Sequence, residues 1–98
     1  MSKIVHVVTV KFKPEVSDEI RQEALRDVCD LKNDIPQIIS ASAGKNFTDR
    51  SKGYEYAWVI ELKTKEDLSI YLDHSAHLEF IRKYKPLFAD VLAIDYEA

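Results

Sequence analysis

Two stretches of strict alternation constrain this chain most. Tyr54, Tyr56, Trp58, Ile60 and Leu62 fall on one side of an extended segment, and Glu55, Ala57, Val59 and Glu61 on the other. Successive side chains of a strand point to opposite faces, so the pattern predicts a strand over 54–62 with one aromatic, apolar face. Residues 3–13 alternate in the same way. Ile4, His6, Val8, Val10 and Phe12 share one face, and Val5, Val7, Thr9 and Lys11 share the other. Both faces of this first strand are largely apolar, which predicts cover on both sides.

Between the two strands the period changes. Ile20, Ala24, Val28, Leu31 and Ile35 recur at spacings of three and four, the signature of an amphipathic helix. Ser17 is placed to cap it, and Asp18 and Glu19 suit its first turn. Pro36 disfavours helical geometry at Ile35 and stops it. A short strand of small and β-branched residues follows over 38–44, then a polar hairpin loop over 45–53. Thr64 opens a second helix over 65–73. A break near His74-Ser75 leads to a further helical piece over 76–84, which Pro86 ends. The last strand spans 91–96. The predicted order is β-α-β-β-α-β: an α+β, ferredoxin-like chain with a four-stranded antiparallel sheet, forming one domain over 1–98.

Composition removes several functions. The net charge is −3, whereas phosphate binding needs clustered lysine and arginine, so nucleic acid is not an expected partner. The basic run Arg82-Lys83-Tyr84-Lys85 reads as the solvated face of a helix that buries Tyr84. No segment approaches a membrane span. The lone cysteine, Cys29, forms no internal disulfide and fits a reducing, cytoplasmic setting.

Chemistry concentrates in Tyr71-Leu72-Asp73-His74-Ser75-Ala76-His77, which holds two of the three histidines. A phenol beside an imidazole can hold and move a proton near neutral pH. His74 and His77 have the spacing of a metal pair but lack an evident third ligand, so no metal is expected. His74 can instead cap the following helical piece, and Tyr71 and His77 can form a purely structural pair. Tyr56 and Trp58 suit a core or a ligand wall, and Trp58 is the better candidate for the wall.

Taken together, His6 with Lys11-Phe12-Lys13, Gly44-Lys45-Asn46, Gly53-Tyr54, Tyr71 through His77, and Ile94-Asp95-Tyr96 resemble the stress-responsive dimeric α+β barrel (Dabb) family over nearly the whole chain. The resemblance implies a homodimer whose sheets face each other to close a barrel. Val5, Val7, Ala57 and Val59 would then lie at the interface. A plant polyketide cyclase of that family implies roles for four matching positions. His77 would be the general base and Tyr71 the donor to a carbonyl or enolate oxygen. Asp95 would orient the His77 ring, and His6 would join the catalytic group. The implied substrate is an aromatic or polyketide-like small molecule undergoing aldol-type closure without a cofactor. Candidate binding residues are Trp58, Tyr56, Val10, Leu25, Val28, His74, Phe80 and Val91. The chain departs from the pattern at Ser75, where the family usually has proline. It also has Ala24, Leu25 and Val28 in place of bulky aromatics, and the larger Tyr56 and Trp58 on the third strand. A cavity walled from the sheet side is therefore expected. The rival expectation is a non-enzymatic stress-response barrel.

Overall fold

The computed structural model describes residues 2–98. The observed order is β1 (Ile4–Phe12), α1 (Asp18–Asp34), β2 (Ile38–Lys45), β3 (Tyr56–Leu62), α2 (Lys65–Asp73), α3 (Ser75–Tyr84), a short 3₁₀ turn (Lys85–Leu87) and β4 (Phe88–Glu97). The strands form one antiparallel sheet in the order β2-β3-β1-β4. This is the ferredoxin-like α+β fold expected from the sequence. No helix is long and apolar enough to cross a membrane among the described residues.

Local chemistry sets the element ends. Ser17 Oγ accepts from the Ile20 N–H, and Thr64 Oγ1 accepts from the Asp67 N–H. Both caps satisfy donors that a helix start leaves unpaired. The third strand begins at Tyr56, two residues later than the alternation suggests. Lys52 and Gly53 both take positive φ, so the chain is still leaving a turn at Tyr54. The Tyr54 hydroxyl instead donates to Asp90 at 2.6 Å, tying the turn to the start of β4. The last strand begins earlier than expected, at Phe88, where the register with β1 shifts between Lys11 and Phe12 and brings Phe88 opposite Phe12.

The helices cover one face of the sheet. Val10, Val28, Ile35, Ile60 and Leu62 are completely buried there. Each such aliphatic side chain contributes about 1.5–3 kcal/mol by leaving water. Tyr84, almost wholly buried, donates to Asp27 and lies 2.9 Å from a Glu23 oxygen, which ties α3 to α1. On the opposite face Val7, Ala57 and Val59 are half-buried, while Leu92, Ile94 and Tyr96 are each more than half exposed. That face is apolar and carries no helix.

Candidate functional site

The site begins with β-ladder register. His6 on β1 stands directly opposite Asp95 on β4. Its imidazole is buried and its Nδ1–H donates to the Asp95 carboxylate, whose side chain is partly open to solvent. Asp95 therefore does not orient His77, as the family resemblance implies. A strand pairing spends it on His6.

The ring of Tyr71, at the end of α2, packs edge-on against His6 at 5.6 Å and tilted against His77 at 4.5 Å. Tyr71 is completely buried, and its hydroxyl has no hydrogen-bond partner among the described residues. Burial pushes its pKa well above the ordinary phenol value, so it stays protonated and able to donate at neutral pH.

His77 owes its setting to the break between α2 and α3. His74 adopts extended geometry and is both the last cap of α2 and the first cap of α3. Its Nδ1 accepts from the Ala76 N–H at 3.0 Å. In an unbroken helix that N–H would pair with the Leu72 carbonyl. The carbonyl instead accepts from His77 Nδ1 at 3.0 Å. A carbonyl oxygen cannot donate, so the neutral ring carries its proton on Nδ1 and its lone pair on Nε2. Burial lowers the His77 pKa below the ordinary value of 6.5. The Leu72 bond opposes that shift, and nearby His6 adds to it. A neutral imidazole with a free Nε2 is a competent general base at pH 7.

Beside His6 and His77 lies a cavity of about 270 Å³ between the sheet and α3; Tyr71 packs behind these two rings and does not line it. His6 and His77 line one end, and Val8, Trp58, Phe80 and Val91 form much of the wall. Trp58 and Phe80 meet edge to face at 5.7 Å. Of the expected binding residues, Trp58, Phe80 and Val91 reach this cavity. Val10, Leu25, Val28 and Tyr56 are instead sealed in the core under α1, and His74 is engaged as a cap. The wall comes from α3 as well as the sheet. Sequence reasoning missed Val8 and Ala93, although alternation from His6 and Asp95 places them on the same face. It also missed Leu72, Ile81, Lys85 and Phe88. Among the described residues, no group of three or more His, Cys, Asp or Glu is placed to hold a metal ion.

With this geometry in hand, comparison with known proteins is informative. The profile of the family described as Stress responsive A/B Barrel Domain matches residues 4–98. Olivetolic acid cyclase of Cannabis sativa is 28% identical over 93% of this chain and 92% of its own. A stress-response A/B barrel domain-containing protein of Arabidopsis thaliana is 30% identical over 94% of this chain and 86% of its own. The structure of a hydroxynitrile lyase from Passiflora edulis superimposes with a TM-score of 0.91 at 19% identity, covering 98% of this chain and 93% of that one. A protein from Thermobifida fusca, described as dimeric and ferredoxin-like, gives a TM-score of 0.87 at 20% identity, with 99% and 92% covered.

Proposed function

This chain belongs to the stress-responsive A/B barrel domain family, and from that premise we propose that it is a cytoplasmic homodimer that binds an aromatic or polyketide-like carbonyl compound in the α3 cavity and catalyses cofactor-free, aldol-type ring closure on it. The observation that carries this reading is the pairing of a buried, unpartnered Tyr71 hydroxyl with a neutral His77 whose free nitrogen is Nε2. An aldol-type step removes a proton beside one carbonyl and stabilises an oxyanion on another. His77 Nε2 takes the proton from the carbon acid. The Tyr71 hydroxyl, held protonated by burial, donates to the oxyanion once the bound ligand displaces the side chains that cover it. His6, fixed by Asp95, lies across Tyr71 and completes the polar end of the cavity.

Olivetolic acid cyclase is named for a cyclisation, which is consistent with a base and an oxyanion donor side by side. The homodimer is supported by the helix-free apolar face around Val7, Val59, Leu92 and Ile94, and by the dimeric description of the Thermobifida fusca neighbour.

A second reading is supported by the complete burial of Tyr71 and by the Arabidopsis relative: a stress barrel in which Tyr71 and His77 only pack. Incubation with linear β-polyketo thioesters, followed by product analysis, separates the two. Cyclised product with wild type, lost in Tyr71→Phe and His77→Ala variants that melt cooperatively, supports the enzyme. Identical product profiles with wild type, the variants and no protein would leave the stress barrel.

A further inference from the structure

The basic run at the end of α3 is not uniform. Arg82 pairs with Glu79, and Lys83 sits 2.7 Å from Glu23 and 3.5 Å from Asp27. Lys85 has no ion-pair partner among the described residues, yet it lines the α3 cavity. The remaining walls near it, Phe88, Ile81 and Val91, are apolar. A cation beside an apolar wall is a recognition element for an anion carried on an apolar body.

Position strengthens the point. His77 lies near the start of α3, and Lys85 caps its end. The helix climbs about 12 Å between them. The strand beneath runs the same way: His6 marks the histidine end, Val8 pairs with Ala93 midway, and Val10 pairs with Val91 near the lysine end. From His6 to Val10 the strand advances about 13 Å. The cavity thus has a proton-transfer end and a cationic end, separated by Trp58 and Phe80.

We infer that the cavity selects a monoanionic organic acid, with its apolar body between Trp58 and Phe80, its carboxylate at Lys85 and its reactive carbonyl at the His77 end. Lys85 is then a specificity residue outside the catalytic group. The inference rests on the cavity being the ligand site proposed above, and it names the class of ligand that the site takes.

Trp58 is the only tryptophan in the chain and lines this cavity, so its fluorescence responds to a ligand bound there. Titration with 5-phenylpentanoate and its primary amide compares an anion with a neutral probe of equal size. Lys85 is exposed, so the acid is expected to bind wild type about fivefold more tightly than the amide, as a surface ion pair permits. The Lys85→Gln variant is expected to lose that preference and keep its amide affinity, and Lys85→Arg to retain the preference. Equal affinity of wild type for the two probes, or a preference that persists in Lys85→Gln, overturns the inference and leaves the cavity as a ligand site. If neither probe perturbs Trp58, the cavity reading itself falls, and the inference with it.

Discussion

The two halves of the helical layer lie on the same sheet face and do different things. Over β2 and β3, the unbroken α1 presses Ala24, Val28 and Leu31 onto the sheet, and Val28, Ile35 and Ile60 are fully excluded from solvent. Over β1 and β4, the layer is split at His74 into α2 and α3, and a cavity remains beneath α3. One half is a sealed core, and the other holds a space edged by titratable groups. One residue marks the split. His74 takes the Ala76 N–H that a continuous helix would have given to Leu72, and the freed carbonyl sets the His77 ring. A helix break therefore serves here as a device for holding an imidazole in one tautomer.

This contrast can be broken from either side. The largest effect is expected at the cavity: His77→Ala should lower turnover about 10³-fold, equivalent to about 4 kcal/mol of barrier, with a small change in melting temperature. A loss of turnover matched by a loss of folded protein, seen by circular dichroism, would make His77 part of the core. The converse is expected under α1. Leu25→Ala should cost about 3 kcal/mol of stability in urea titration and leave ligand affinity at Trp58 unchanged. Weakened binding in a folded Leu25→Ala protein would extend the site into the α1 half.

The hinge itself should show a mixed phenotype. His74→Ala removes a cap worth about 1 kcal/mol and returns the Ala76 N–H to Leu72, so turnover should fall more than stability. Equal stability and turnover in this variant would detach the break from the site.

The smallest expected effect is on pH dependence. Burial holds the folded His77 below its ordinary value of 6.5, so below that value the unfolded chain binds its proton before the folded chain does. The His77 contribution is intact above pH 6.5 and is lost as pH falls from there through the lowered value. His77→Gln should therefore flatten the acid side of a melting-temperature profile between pH 7 and 5. An unchanged slope would mean that His77 titrates as an ordinary exposed histidine.

Much of the fold was legible because side-chain period and punctuation are local properties. Alternation marked the third strand as 54–62, two residues too long at its start, Ser17 and Thr64 marked helix starts, and His74-Ser75 marked the break. The site was legible only in part. Tyr71 and His77 stand out as rare residue types close in sequence, but the partner of Asp95 depends on which residue of β1 it meets. That register is a property of two strands far apart in the chain. Periodicity showed that Val10, Val28 and Tyr56 point inward, yet it carries no signal for where the inward layer leaves a gap. The Leu72 carbonyl was beyond reach for a simpler reason: a backbone acceptor looks the same under every side chain. Lys85 was hidden inside a basic run whose other members are paired at the surface.

The central claim is that His77 Nε2 removes a proton from carbon beside a carbonyl while Tyr71 holds the oxygen. Deuterium exchange tests it without the natural substrate. An aryl alkyl ketone small enough for the cavity is incubated in D₂O with wild type, Tyr71→Phe or His77→Ala, and loss of its α-proton signals is followed by NMR. Exchange accelerated by wild type above the buffer rate, reduced by Tyr71→Phe and abolished by His77→Ala, is the predicted result. Exchange at the buffer rate with a ketone shown by Trp58 fluorescence to be bound would contradict the claim and leave this cavity a binding site without proton-transfer chemistry.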